Sequence, residues 1–185
     1  MIQRTMSRKY QPATFIILLI TGVWLQGTAL PARAETKMSK QMEIQANQKD
    51  VSAILAAFDK AEKALKEHDL DALMALYSKD YNYHGLTKNN LKEAWTDLFS
   101  KYRRIASHHI FSKIVVTVEG TAPQARITCT GGLWATAEST GERIIIDSWF
   151  EEKHSLVYEN GAWRILGHEG EDQPSVQNGA AHPYF

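Results

Sequence analysis

Three side chains suited to proton transfer lie within or beside the predicted strands. Tyr83 lies in a short predicted strand that ends at Gly85, His109 stands between the last predicted helix and the first long strand, and Asp147 lies in a long apolar strand. Histidine exchanges protons near neutral pH, and a phenol can stabilise an oxyanion. We expect acid–base chemistry on a carbonyl compound, with His109 as the base and Tyr83 as the oxyanion donor, and Asp147 as a further acid–base candidate.

The long strand predicted for residues 143–158 has two faces. Asp147, Trp149 and Glu151 share one face by strand alternation. The opposite face carries Ile144, Ile146, Ser148, Phe150 and His154. A polar residue beside a tryptophan is typical of a pocket lining, which makes Trp149 and Glu151 candidate ligand-binding residues. Tyr102, on the third predicted helix, is a further candidate. Neither face is wholly apolar, so Asp147 and Glu151 fit a solvated outer face equally well.

Motifs for metals and cofactors are weak in this chain. His108 and His109 are adjacent, and because adjacent residues of an extended chain point opposite ways, they cannot share one ion without a turn. The pair Gly131-Gly132 lacks the lysine and the strand–loop–helix context of a phosphate-binding loop. Cys129, the single cysteine, is expected to be a buried and inert thiol. We therefore expect no metal ion and no cofactor.

The candidate residues are positioned by three predicted helices followed by a run of strands. The helices are marked by apolar residues at helical spacing: Val51, Ile54, Leu55, Phe58 and Leu65 after an N-cap at Asp50; Leu70, Leu73, Met74 and Tyr77 after Asp69; Leu91, Ala94, Trp95, Leu98, Phe99 and Tyr102 after Thr87. Strands are predicted over residues 113–118, 124–130, 133–137, 143–158 and 162–168. This order predicts an α+β domain with three N-terminal helices packed in a strongly curved antiparallel β-sheet that can enclose a pocket.

Two hairpin motifs carry a resemblance to a known family. Residues 118–125 (VEGTAPQA) resemble a V-x-G-x-x-A hairpin, and residues 159–165 (ENGAWRI) resemble an x-x-G-x-W-R-I final hairpin. Over residues 50–169 the chain resembles the nuclear transport factor 2-like superfamily, which includes SnoaL-like cyclases and ketosteroid isomerase. The resemblance implies a cystatin-like cone, a pocket strand around Tyr83 and a homodimer through the sheets. Members are isomerases, dehydratases, cyclases or plain binding modules, so the fold does not select an activity.

The first 34 residues have the three parts of a signal peptide. A basic start precedes an apolar run over residues 15–30 and the segment Ala32-Arg33-Ala34. That run is interrupted by polar residues and is shorter than the ~20 residues of a membrane span. We expect cleavage before Glu35, a flexible lead-in over residues 35–49, the domain over 50–169, a disordered tail over 170–185, and a periplasmic or secreted protein that leaves the membrane.

The charge of the chain reduces the number of function classes to consider. Four of the 21 basic residues and none of the 21 acidic residues lie in residues 1–34, so the remainder has a formal net charge of −4 and no electrostatic reason to bind nucleic acid. We expect a protein that binds a small apolar or aromatic molecule in the cone, or a dimeric interaction module. The alternative is a cofactor-independent lyase or isomerase, which requires convergent titratable groups in the cone.

Overall fold

The computed structural model describes residues 35–120 and 122–169. The signal peptide predicted for residues 1–34 and the tail predicted for residues 170–185 lie outside the described residues. The elements in chain order are β1 (Glu35–Gln45), α1 (Gln48–Glu67), α2 (Leu70–Met74), β2 (Asn82–Tyr83), β3 (Leu86–Thr87), α3 (Lys88–Lys101), β4 (Tyr102–Glu119), β5 (Ala122–Ala137), β6 (Arg143–Glu159) and β7 (Ala162–Glu169).

The three helices occur where the apolar periodicity predicted them, and side chains cap each start. Asp69 caps α2 by accepting from the Ala72 N–H at 3.0 Å, and Thr87 forms a capping box with α3. For α1 the predicted N-cap, Asp50, is wrong by three residues. The cap is Asn47, whose side chain accepts from the Asp50 N–H at 2.9 Å, and Asp50 lies in the first turn.

The main sheet is curved and mixed, with strand order β1-β4-β5-β6-β7. Strands β4 to β7 form an antiparallel meander, as predicted, whereas β1 pairs parallel with β4. Two predictions are therefore wrong. The sheet is not fully antiparallel, because β1 is parallel to β4, and the helices are not wholly N-terminal, because β1 precedes them. Left-handed residues inside strands, Arg104 (φ 50°) and Glu151 (φ 51°), mark bulges in β4 and β6, which increase the local bending.

The flexible lead-in expected over residues 35–49 is also wrong. Residues 35–45 form β1, whose register runs from Glu35 opposite His108 to Gln45 opposite Val115, and α1 begins at Gln48. The segment lacks a clear apolar period because β1 is an edge strand with much of its apolar surface in solvent: Met38 is 54% and Ile44 47% exposed. Backbone pairing with β4, which a hydrophobic pattern does not report, places this segment in the sheet.

The helices cover one face of the sheet, which we call the inner face. Large side chains fill the space between the layers: Ile54, Phe58, Leu65, Leu73, Tyr77, Leu91, Trp95, Ile105, Phe111, Ile114 and Trp163 are all fully buried. Phe58 of α1 contacts the rings of Phe111 (5.0 Å between centroids) and His109 (5.2 Å) on β4. No helix in residues 35–120 and 122–169 is both long enough and apolar enough to span a bilayer.

Candidate functional site

A connected set of polar side chains crosses the inner face from β5 to β7. The Cys129 Sγ lies 3.0 Å from Nε2 of His154, and the His154 Nδ1 lies 2.9 Å from Nδ1 of His168. The same His168 nitrogen lies 2.9 Å from a carboxylate oxygen of Glu152. We call Cys129, Glu152, His154 and His168 the inner cluster. It brings an acid, two imidazoles and a thiol together where the surrounding side chains are apolar.

A bulge in β6 places two members of the inner cluster on the inner face. Asp147 and Trp149 face inward in the first half of the strand, and Glu152 and His154 face inward in the second half. The register changes between the pairs Gly131–Trp149 and Cys129–Glu152, so β6 holds one residue more than β5. Glu151 takes a left-handed backbone (φ 51°) in this bulge. The extra residue reverses the alternation, and simple strand parity therefore fails here.

Cross-strand pairing brings His168 to the cluster. The register of β6 and β7 places His168 opposite His154, and Glu152 precedes His154 by two residues on the same face. Side chains at i and i+2 and at directly opposed positions of a sheet are neighbours on one face. The sheet thus holds three titratable groups within contact distance without a loop.

Aromatic side chains enclose the inner cluster. Tyr83 of β2 makes an edge contact with the His168 ring at 4.8 Å between centroids, and Tyr81 does so at 6.1 Å. On the other side, the Trp149 Nε1–H donates to the Cys129 Sγ at 3.1 Å. The Glu152 side chain is 14% exposed and that of His168 is 1% exposed. The cluster therefore reaches solvent at Glu152 and is buried elsewhere.

Burial controls protonation around the cluster. It lowers the pKa of His154 well below the ordinary histidine value, and the neighbouring His168 and His109 lower it further. Burial also raises the pKa of the Cys129 thiol and of the Tyr81 phenol. At neutral pH, His154 is therefore uncharged, Cys129 is a thiol rather than a thiolate, and Tyr81 keeps its proton as a hydrogen-bond donor.

The three residues predicted to be catalytic are all buried, in different places. Tyr83 is 4% exposed and contacts the inner cluster through His168. His109 is fully buried and packs 5.1 Å from the Trp149 ring; burial and the adjacent His108 lower its pKa to about 3. Asp147, 5% exposed, lies two residues before Trp149, and its carboxylate accepts from the Ser148 N–H at 2.7 Å.

The three predicted ligand-binding residues are separated by the structure. Trp149 faces inward and holds Cys129. Tyr102 is the C-cap of α3 and the first residue of β4, and it lines a shallow groove of about 270 Å³ with residues 144–146. Glu151 is exposed at the bulge, where its backbone N–H donates to the Thr130 Oγ1 at 3.0 Å. The expectation that Glu151 shares a face with Asp147 and Trp149 is therefore wrong.

Sequence reasoning missed Glu152 and His168, and it placed His154 on the wrong face. The pattern Glu-x-His in a strand is a signal for two polar groups on one face, but its third partner depends on the β6–β7 register. For the adjacent histidines, strand alternation was correct: His109 lies inside, while His108 contacts Trp134 at 5.2 Å on the other face.

A groove lies on the opposite, outer face of the sheet. It has a volume of about 450 Å³ and is lined by residues such as Lys113, Thr117, Gln124, Arg126 and Lys153. Its charged groups are largely engaged: Arg126 pairs with Glu169 at 2.7 Å, and Lys113 with Glu43 at 2.9 Å. This groove is a surface feature of mixed polar and apolar lining, and its ion pairs are exposed to solvent.

Comparison with solved structures supports the fold. The protein Aln2 from a Streptomyces species is similar with a TM-score of 0.51 and 11% identity, over 67% of this chain and 91% of that one. A conserved protein from Planctomyces limnophilus gives 0.50 and 18%, over 66% and 94%. A ketosteroid isomerase-like protein from Erwinia carotovora atroseptica gives 0.47 and 18%, over 66% and 95%.

The similarities to Aln2 and to the Planctomyces limnophilus protein show that the chain shares their fold. No family model matches the sequence, and no curated protein is significantly similar to it. At identities of 11–18% the likeness shows the fold alone.

Proposed function

We propose that this protein binds a small, mostly apolar molecule inside the cone and transfers a proton to or from it, as a lyase or isomerase does. The observation that carries the proposal is the chain of contacts Glu152–His168–His154 on the inner face. Titratable groups held together among apolar walls are the usual means of acid–base catalysis. Polar side chains of a sheet usually face solvent, whereas Glu152, His154 and His168 face the inner side of this sheet.

The members of the cluster fit distinct roles. Glu152 is partly exposed, so it can exchange protons with solvent, and its contact with His168 provides a relay into the interior. The Tyr81 hydroxyl is buried and makes no hydrogen bond within residues 35–120 and 122–169. A phenol that keeps its proton can donate to an oxyanion that forms on the ligand. We assign Glu152 and His168 to proton transfer and Tyr81, with its neighbour Tyr83, to recognition of the ligand oxygen.

The β2–β3 hairpin covers this site. His84 (φ 49°) and Gly85 (φ 87°) form its two-residue turn, and Tyr83 projects from it onto His168. A side chain on Gly167 of β7 would come within 2.5 Å of the Asn82 carbonyl oxygen, so the hairpin lies directly on β7. We propose that a ligand enters beneath this hairpin, beside Glu152.

Proton transfer can be tested without knowing the natural substrate. 2-Tetralone is an apolar ketone whose α-protons exchange with deuterium from D₂O when a base and an oxyanion donor act on it, and NMR measures the rate. We expect the protein to catalyse this exchange, and Glu152→Gln to lower the rate about 100-fold or more. Glu151→Gln changes the adjacent, exposed carboxylate and should leave the rate unchanged. Equal rates in the parent and Glu152→Gln would refute the proposal.

A non-catalytic binding or interaction module is the second candidate. It is favoured by the filling of the cone with large side chains, since Phe58, Trp95 and Trp163 are fully buried. The same samples distinguish the two candidates. Binding of 2-tetralone to the inner cluster without exchange supports a binding module, and absence of both binding and exchange supports an interaction module.

We propose a homodimer through the outer face of the sheet. Phe150 is 80% and Ile145 77% exposed on β6, and exposed apolar side chains of this size favour a protein partner. Light scattering should give twice the mass of one chain, and Phe150→Ser together with Ile145→Thr should reduce it to one. A single-chain mass for the parent at micromolar concentration would refute the dimer.

We also propose that the chain is exported and processed before Glu35. This rests on the basic, apolar and small-residue segments of the first 34 residues. Mass spectrometry of the exported protein should find Glu35 as the first residue. An intact Met1 in the soluble protein would refute it.

A further inference from the structure

We propose that Glu152, His154 and His168 bind a divalent transition-metal ion of the zinc class. The inference rests on the same site as the proposed function but not on the proposed proton transfer. The ligand-type atoms of these residues lie within 4.8 Å of one another. Two imidazole nitrogens and one carboxylate oxygen are a donor set suited to Zn²⁺ and to neighbouring first-row metals.

Two of the three ligand-atom distances suit a bound ion. With metal–ligand bonds of about 2.1 Å, two ligand atoms 2.9 Å apart subtend about 90° at the ion. Both measured contacts have this length: His154 Nδ1 to His168 Nδ1, and His168 Nδ1 to Glu152 Oε1. An outward movement of a few tenths of an ångström gives about tetrahedral angles. Glu152, whose side chain is partly exposed, can rotate to complete the set.

The single proton or lone pair available at Nδ1 of His168 gives an independent reason to expect a metal ion. An imidazole nitrogen offers one in-plane position, either a proton or a lone pair. Nδ1 of His168 lies 2.9 Å from both His154 Nδ1 and a Glu152 oxygen, so one proton or one lone pair must serve two close neighbours. An ion between them satisfies both contacts, because all three groups then direct lone pairs at one positive charge.

The surroundings hold the ligands as metal sites require. If Nδ1 of His154 binds the ion, its Nε2–H points at the Cys129 Sγ 3.0 Å away, and the Trp149 Nε1–H reaches the same sulfur. This sulfur lies on the far side of the His154 ring, so Cys129 orients a ligand and is not one itself. Hydrogen bonds of this kind fix the tautomer and the ring position of metal-binding histidines.

Three protein ligands leave a coordination position for a small molecule. Structural zinc sites are commonly closed by four protein ligands, whereas catalytic sites keep one position for water or substrate. The Tyr81 and Tyr83 rings make edge contacts with the His168 ring and would flank a molecule bound to such an ion. The expected ligand class is a small molecule with an oxygen that can approach the ion from beneath the hairpin.

Calorimetric titration of untagged, EDTA-treated protein with zinc sulfate tests the site. We expect about one Zn²⁺ per chain, and a visible absorption band when Co²⁺ replaces it, as imidazole ligation produces. Glu152→Gln and His168→Gln should each weaken zinc binding more than about 100-fold, beyond the range for residues that only orient ligands. The exposed Glu151→Gln and the outer-face His108→Gln serve as matched controls and should bind as the parent does.

Two results would overturn the metal site: no zinc binding by the parent, or unchanged zinc affinity in Glu152→Gln. If His168→Gln does not fold, Glu152→Gln decides, because its side chain has the same shape and is partly exposed. Zinc should also raise the melting temperature of the parent and not that of Glu152→Gln. If the protein catalyses deuterium exchange into 2-tetralone but does not bind zinc, the metal site is refuted and the proposed proton transfer stands. If it binds zinc but does not catalyse the exchange, the proton transfer is refuted and the metal site stands.

Discussion

The Nδ1 atoms of His154 and His168 lie 2.9 Å apart on the inner face of the sheet, at directly paired positions of β6 and β7. Both rings are buried, and the carboxylate of Glu152 contacts the second of them. Two imidazoles this close need a shared proton or a shared ion. The register of β6 and β7 thus brings two titratable rings into contact, and this contact is the basis of the proposed function.

The Trp149 ring lies over Gly131 of the neighbouring strand, and we predict that Gly131→Ala destabilises the protein. A side chain at Gly131 would overlap the His108 carbonyl oxygen and come within 2.5 Å of the Trp149 ring. Overpacking of this kind typically costs about 1–3 kcal/mol. Gly132→Ala is the matched control, because its nearest contact would be 3.5 Å. Urea unfolding that ranks Gly132→Ala as the more destabilised variant would contradict the packing described.

Tyr83 seals the cluster with its ring, so we predict a large difference between two substitutions. Tyr83→Ala removes the contact with His168 and should lower the free energy of unfolding by about 3–5 kcal/mol, as for other buried aromatic residues. Tyr83→Phe keeps the ring and should cost much less. Equal losses in chemical denaturation would show that the ring contact contributes little and that the hydroxyl dominates.

Buried histidines make the fold sensitive to acid. Burial lowers the pKa of His109 from 6.5 to about 3, so the unfolded chain binds this proton more readily than the folded one. Above about pH 6.5, His109 is neutral in both states and the free energy of unfolding does not depend on its titration. As the pH falls from about 6.5 toward about 3, the free energy of unfolding decreases, by up to about 5 kcal/mol for the whole pKa difference. Burial lowers the pKa of His154 as well, with the same sign.

We therefore predict that His109→Leu flattens the decline of stability between pH 7 and pH 4. The free energy of unfolding, measured by urea denaturation at each pH, should fall less steeply in His109→Leu than in the parent. His84→Asn changes an exposed histidine at a positive φ that asparagine tolerates, and it should keep the slope of the parent. Parallel slopes for all three proteins would mean that His109 does not titrate in this range.

Cys129 should resist thiol reagents in the folded protein. Its side chain is buried, and burial raises the pKa of the thiol, so the reactive thiolate is scarce. We expect a disulfide reagent such as DTNB to modify Cys129 slowly in buffer and quickly in urea above the unfolding transition. Modification in buffer at the rate of a free thiol would place Cys129 at the surface and contradict the inner cluster.

Apolar periodicity predicted the helices and most of the strands, because each of these elements buries one face. It did not predict β1, whose place in the sheet comes from backbone pairing at an exposed edge. The strands predicted over residues 124–130 and 133–137 form one continuous strand, β5, in which a register shift with β6 occurs between Cys129 and Gly131.

The site was predicted less well than the fold, for a specific physical reason. One additional residue at the β6 bulge moves Glu151 outward and turns Glu152 and His154 inward, and a pattern of two-residue alternation cannot show this. His168 joins them through the β6–β7 register, which is shifted between Ser155 and Leu156. Tyr83 and Trp149, both named from the sequence as candidate site residues, contact members of the inner cluster, His168 and Cys129 respectively.

Chemical-shift mapping with a phenol on an apolar frame, 2-naphthol, tests the central claim most directly. Proton–nitrogen NMR spectra recorded during the titration should show the largest changes at Tyr83, Glu152 and His168, and Glu152→Gln should weaken binding while Glu151→Gln should not. Such a result would place the ligand at the inner cluster. Changes confined to the outer groove at Lys113, Arg126 and Lys153, with the inner cluster unaffected, would contradict the account.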